Sequence, residues 1–274
     1  MPRKFVLVSN LESIESRFHV SLSAYARLLP PAYGISGGDL AYVLTMERPQ
    51  ELQAYRFGMT PYWAKSPMEL INARAEGDKN PNNDPGYSGP KQIFMKKAFL
   101  KPVQCQRCLV LADAYYDWDR AKKPYLVYLQ DKQRPFAMAG LYDYWKDHQT
   151  KEILASFAII TTTANQLLQS IGVKRMPVIL TPGYEKDWLK PDRSLSEVLH
   201  MLRQFPSQKM NAYPVSDLVD QKGVNDIAMI RPVGDRLQSE VRPVVRPTVH
   251  NRYYHKKKDA PQGSWGASRM KDQE

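Results

Sequence analysis

The chain has little of what metal centres and disulfide scaffolds are built from. Among its 274 residues are two cysteines and five histidines. The cysteines form a single CxxC, Cys105 and Cys108 in QCQRCLV, while His19, His148, His200, His250 and His255 are scattered. No second Cys/His pair stands at ligand spacing, so neither a metal nor another cofactor is expected. Cys108 leads straight into an apolar run, and both thiols are read as buried side chains. Long apolar runs are missing too. No eighteen-residue apolar stretch exists, which excludes a membrane-spanning helix. The N-terminus lacks the apolar segment of a secretory signal, so a cytoplasmic protein is expected. Acidic residues are the remaining shortage: 28 Asp and Glu face 39 Lys and Arg, a formal charge of +11. That surplus points to an anionic partner, with nucleic acid ahead of an acidic membrane surface.

What is present suits one large domain or two modest ones, with sixteen Tyr and five Trp as amphipathic rings. In VSNLESIESRF, Ser9 and Glu12 fit a capping box and Leu11, Ile14 and Phe18 share a helical face. AYVLTM and QAYRFGM read as strands, Pro30-Pro31 and SGGD as turns, and residues 77–92 as a long polar surface loop. RCLVLADAYYDW, PYLVYLQ, FAMAGLYDYW and SFAIITTTAN are further strands, whose spacing favours an antiparallel sheet or barrel over a doubly wound fold. GYEKDWL and SLSEVLHMLRQF read as short helices, and NAYPVSDLV and AMIRPVG as extended chain. Composition divides the chain into a domain over 1–235 and a basic tail over 236–274. Within the tail, residues 241–274 carry eight Lys and Arg against three acids, with Tyr253, Tyr254 and Trp265 interleaved. This is either a solubilising tail or an arm that adds charge and stacking toward nucleic acid.

Three stretches carry candidate chemistry. In LINARAEGDK, Asn72, Arg74 and Glu76 alternate with apolar residues and share one face of a strand. In LADAYYDW, Asp117 follows an apolar strand among aromatics. In SIGVKRMPVIL, Lys174 and Arg175 stand between apolar runs, and an Arg offers a bidentate fork to phosphate. Each has a plain structural explanation by itself: a surface Arg–Glu pair, a turn-forming acid, a solvated strand end. The first residues add a fourth feature. Removal of Met1 before the small Pro2 leaves a free prolyl amine, and an α-amino group near pKa 7.7–8.0 is partly unprotonated at neutral pH and nucleophilic toward aldehydes.

In order along the chain, RFGMTPYWAK, NARAE, RCLVLADAYYDW, FAMAGLYDYW, FAIITTTAN, RMPVIL and YPVS resemble the SOS-response-associated peptidase (SRAP) family, the abasic-site processing proteins. The resemblance runs from residue 1 to about 235. It implies an α+β fold, a single domain on a curved, barrel-like antiparallel β-sheet with peripheral helices. It implies a basic groove for single-stranded DNA, or for a junction of single- and double-stranded DNA, carrying an abasic site. In that family an N-terminal cysteine, exposed by removal of Met, closes a thiazolidine on the abasic-site aldehyde, with an Asn, a Glu and a His assisting.

Matched residue by residue, the chain keeps Asn72, and Arg74 and Arg175 match positions that face DNA phosphates. Lys4 and Lys174 add charge beside them, and Trp63 is a candidate for stacking on an unpaired base. Phe57 stands for the usual Trp before Gly. Pro2 stands for the cysteine, Asp117 for the glutamate and Val173 for the histidine. Without a thiol no thiazolidine can close, and Val173 moves no proton. Three readings follow. The Pro2 amine forms an iminium and the DNA is cleaved by β-elimination, with Asn72 and Asp117 assisting. Or the scaffold is a disarmed module that binds single-stranded or damaged DNA. Or the positive surface serves RNA, acidic protein or membrane, the reading the motifs favour least. Nothing asks for an obligate dimer, so a monomer is expected.

Overall fold

The computed structural model describes residues 3–24, 26, 28–130 and 134–240. In chain order the elements are β1 (Lys4–Leu7), α1 (Leu11–Phe18), β2 (Ser21–Leu22), β3 (Ala32–Ser36), β4 (Leu40–Thr45), β5 (Glu51–Phe57) and β6 (Asn72–Arg74). Then come α2 (Lys97–Cys105), β7 (Arg107–Ala112), β8 (Ala114–Trp118), β9 (Pro124–Leu129), β10 (Phe136–Lys146) and β11 (Ile153–Thr163). The chain continues with α3 (Gln166–Ser170), β12 (Arg175–Pro177), β13 (Ile179–Leu180), α4 (Pro182–Leu189), α5 (Leu195–His200) and β14 (Met210–Pro214). Residues 77–92 form turns without helix or strand.

Five strands close on themselves. β5, β4, β7, β10 and β11 pair in that order, all antiparallel, and β11 returns to β5 in parallel through Ser156 beside Arg56 and Phe157 beside Phe57. The fold is therefore the expected α+β domain on a curved, barrel-like sheet. Gly140 on β10 shows how closely the barrel strands pack. A Cβ there would lie 2.7 Å from Val110 Cγ2 and 2.8 Å from Cys108 Sγ, so a side chain at this point would force two barrel strands apart.

A second sheet, in the order β14-β9-β8-β1-β3, lies against the barrel. Its strands alternate as a pleated, two-faced sheet must. Phe5, Leu7, Tyr115, Val127 and Leu129 join the main core, while Val6, Ala114, Tyr116, Leu126 and Tyr128 join a smaller one under the 3₁₀ turns at Asp217–Asp220 and Ile227–Ile230. Phe5 meets Phe57 edge-on at 5.5 Å, and Phe57 stacks on Phe157 at 5.2 Å, so three rings link the sheet to the barrel wall.

Some local expectations need correction. The cap of α1 is Asn10, whose side chain accepts from Ser13 N at 2.8 Å. Ser9 instead donates its hydroxyl to Asp113 Oδ1 at 2.6 Å, because Asp113, at the corner between β7 and β8, also gathers the amides of Val8 and Ser9. The capping box occurs in α5, between Ser194 and Glu197. Of the two cysteines only Cys108 is buried; Cys105 ends α2 and is exposed. The run AMIRPVG is not extended throughout, since Ile227–Ile230 form a 3₁₀ turn capped by Asp226. The folded body also runs past 235: Leu237 N bonds Ala212 O and Asn211 Nδ2 bonds Gln238 O, which ties residues 237–240 to β14. The tail over 241–274 lies outside the described residues.

Arg107 anchors two helices from inside. Its guanidinium is fully buried and donates to Val103 O and Gln104 O at the end of α2, and to Trp188 O and Lys190 O at the end of α4. A cation at two helix C-termini meets two partial negative charges. Burial still pulls this guanidinium down to about 10.

Candidate active site and DNA interface

β6 is three residues long and lies parallel on β11, with Asn72 beside Ile159 and Arg74 beside Thr161. Its period-2 pattern buries Ala73 and leaves Asn72 and Arg74 half-buried on the other face. The turn between β3 and β4 passes directly over the entry to β6. A Cβ on Gly37 would lie 2.1 Å from Glu69 Oε1 and 3.2 Å from Ile71 Cγ2. Ser36, the residue before it, pairs with Lys4. The start of β1 and the start of β6 are thus brought to one place.

β8 runs antiparallel to β1 with Tyr116 opposite Lys4, so its next residue, Asp117, lies level with Arg3. A third segment arrives from the far side. Gly172, at φ +85°, leaves no room for a side chain, since a Cβ would sit 2.4 Å from Arg120 Cγ in the β8–β9 turn. The loop carrying Val173 and Lys174 therefore lies against the end of β8. The segments that carry Asn72, Asp117 and Val173, far apart in sequence, thus each meet the same end of the second sheet through a neighbouring residue.

Asp117 is 3% exposed. Burial pushes its carboxyl above the ordinary aspartate range, against the opposing pull of the Trp118 amide, which donates to Oδ1 at 3.0 Å, and of the nearby Arg3 charge. A buried carboxyl with a raised pKa is suited to moving a proton. The Arg3 guanidinium lies 5.0 Å from the Trp118 ring centre, and the indole nitrogen donates to Asp220 Oδ2 at 3.2 Å. Val173 is buried and apolar, and offers the site no proton.

The basic candidates divide. Lys174 is exposed and Arg74 half-buried, both open to an anion. Arg175, read from sequence as a phosphate clamp or a solvated strand end, is buried and turned inward. It is 1% exposed, and its Nη2 donates to Glu76 Oε2 at 2.8 Å and to Thr161 O at 2.7 Å. Glu76, expected on the polar face beside Arg74, is wholly buried. It holds Arg175 on one oxygen and Lys91 Nζ, at 2.9 Å, on the other. Burial would raise the Glu76 carboxyl, but Arg175 and Lys91 together hold it below its ordinary range. Lys4 turns its ammonium to Val219 O, near Asp220 and Asp39, and burial lowers its pKa. Trp63 lies on a separate loop with Lys97 Nζ 4.5 Å from its ring. Pro2 lies outside the described residues. Sequence reasoning missed Lys91, which sits in a polar loop and gives no periodic signal. Among the described residues no three His, Cys, Asp or Glu side chains gather as a metal site would require.

This geometry has relatives. The protein in a crystal structure from Bacteroides thetaiotaomicron superposes with a TM-score of 0.72 at 27% identity, covering 84% of this chain and 98% of that one. The abasic site processing protein YoaM of Bacillus subtilis is 30% identical over 235 residues, 83% of this chain and 96% of its own length. The abasic site processing protein HMCES of Xenopus tropicalis is 29% identical over 199 residues, which span 64% of this chain and 55% of that longer protein. The profile of the SOS response associated peptidase (SRAP) family matches residues 1–222. The chain belongs to the SRAP family.

Proposed function

We propose that this protein acts on abasic sites in single-stranded DNA, or at junctions of single- and double-stranded DNA, through an iminium at the Pro2 amine. The observation that carries the proposal is Asp117: a buried carboxyl with a raised pKa, at the end of β8, level with the start of the chain's first strand. The relatives named for abasic-site processing support the substrate, and the charges of the half-buried Arg74 and the exposed Lys174 support an anionic one.

In the proposed reaction the unprotonated Pro2 nitrogen adds to the C1′ aldehyde of the opened sugar, and the carbinolamine loses water to give an iminium. Asp117 in its acid form supplies the proton that leaves with that water. As carboxylate it then takes a proton from C2′. The electron pair forms the C2′–C3′ double bond and expels the 3′ phosphate, and hydrolysis of the iminium frees the amine. Asn72 orients the sugar. With no thiol the adduct cannot close to a thiazolidine and stays reversible, which suits a lyase better than a lasting crosslink.

The proposal is tested with single-stranded DNA carrying one abasic site, with and without borohydride, using protein whose N-terminus is verified by mass. A borohydride-dependent adduct is expected, and it disappears when one residue is added before Pro2. Binding without adduct or cleavage would leave the second reading, a DNA-binding module. The buried, apolar Val173 favours that reading, since it stands where the family carries a histidine.

A further inference from the structure

The loop between Met59 and Leu70, closed by a bridge between those two residues, is pinned to β10 at two points. Tyr62 N donates to Asp143 Oδ2 at 2.9 Å, and Trp145 Nε1 donates to Ala64 O at 2.7 Å. Its two neighbouring rings, Tyr62 and Trp63, lie under α2. That helix buries Phe99, Pro102 and Val103 and exposes Lys97, Leu100 and Lys101. Lys97 and Lys101 stand one turn apart, about 6 Å along the axis. Each covers one ring: Lys97 Nζ lies 4.5 Å from the centre of Trp63, and Lys101 Nζ 5.0 Å from that of Tyr62.

Tyr62 is 55% exposed, and Met95, just before α2, and Leu100, on it, are exposed as well. Among the described residues neither lysine has a carboxylate partner, although Lys96 beside them pairs with Asp78. Two aromatic faces, two unneutralised ammonium groups and exposed apolar side chains on a pinned backbone are the parts of a platform for unstacked bases. An exposed cation–π contact is weaker than base–aromatic stacking, and a lysine that leaves its ring gains a phosphate. The exchange therefore runs toward nucleic acid.

We propose that Tyr62, Lys97 and Lys101 extend the Trp63 surface into a second contact region for single-stranded DNA, in which the rings take successive bases and the lysines take the phosphates between them. The proposal rests on the reading that this protein binds single-stranded DNA, and adds the face over which the strand runs beyond the candidate site. Bases rather than an acidic peptide are assigned because both cations are paired with rings.

The experiment measures binding of undamaged oligo(dT) by fluorescence anisotropy across a salt series. The lysines and Tyr62 are exposed, so their substitution leaves the core intact. Lys97→Ala/Lys101→Ala is expected to flatten the log K against log salt slope by about 1.4, from roughly 0.7 per phosphate on a single strand. Tyr62→Ala is expected to weaken binding about 5- to 150-fold with the slope unchanged. An unchanged slope in the double variant, or no oligo(dT) binding by the unmodified protein, overturns the proposal. An equal loss toward polyglutamate would identify an acidic-peptide surface and also overturn it. The borohydride adduct on abasic DNA reports separately on the reaction, so either proposal can fail while the other stands.

Discussion

Two buried carboxyl groups, Glu76 and Asp117, behave in opposite ways. Glu76 is enclosed by two cations, Arg175 on one oxygen and Lys91 on the other, and accepts from the Thr162 hydroxyl at 3.1 Å. Its charge is compensated and its pKa is held down. Asp117 is buried to a similar degree, yet its desolvation outweighs the charges that oppose it, and its pKa is held up. Burial alone therefore does not mark a reacting group. A carboxylate matched by two cations secures a fold, whereas one whose pKa burial raises is better suited to exchanging a proton.

The contrast breaks most visibly at Glu76. Glu76→Gln leaves Arg175 and Lys91 without their counter-charge and is expected to cost about 3–5 kcal/mol in urea denaturation. Asp117→Asn is expected to keep or improve stability, because it removes a desolvated charge, while slowing adduct formation on abasic DNA by about 10²–10⁴-fold in a quench-flow or gel assay. An Asp117→Asn variant that is fully active would remove Asp117 from the mechanism.

Acid sharpens the same difference. The depressed Glu76 pKa contributes stability that is present above the ordinary glutamate value of about 4.3 and is lost as pH falls through the folded value. Asp117, raised, works in the other direction: its acid form favours the fold, and that contribution is lost as pH rises through its folded pKa. Denaturation midpoints across pH 3–8 should lose part of their acid limb in Glu76→Gln and gain on the alkaline side in Asp117→Asn. The smallest effect belongs to Tyr115, which lies two residues before Asp117 on the same face of β8. Its hydroxyl is buried with no partner among the described residues. Tyr115→Phe removes that unsatisfied group and should raise the melting temperature by the equivalent of about 1 kcal/mol.

Strand-like runs and their spacing were enough to read the barrel, because alternation and β-branched content survive in sequence. Its closure was not legible, since nothing local in QAYRFGM or SFAIITTTAN announces that they pair in parallel. The NARAE and YYDW stretches show by themselves neither that Asn72 lies beside Ile159 nor that Asp117 lies level with Arg3; strand register sets both. The roles of the charges were less visible. Arg74 and Arg175 look alike in sequence, and only packing separates the half-open one from the buried one. Ser9 likewise resembles a helix cap until Asp113, brought near by the corner between β7 and β8, takes its hydroxyl.

The parallel join between β5 and β11 has a kinetic consequence. The barrel is sealed there by two residue pairs, Arg56 with Ser156 and Phe57 with Phe157, and by the bond from Gly58 N to Phe157 O at 2.9 Å. The segments that meet are distant in sequence, so loop closure must precede any reward from their contact. The antiparallel neighbours β4–β5 and β10–β11 form from nearer chain, as hairpins, and the seam zips afterwards. On that schedule the seam is the late step in folding and the first to open. The Gly58 amide should then exchange with solvent deuterium sooner than the amides of β7, whose strand is paired along both edges.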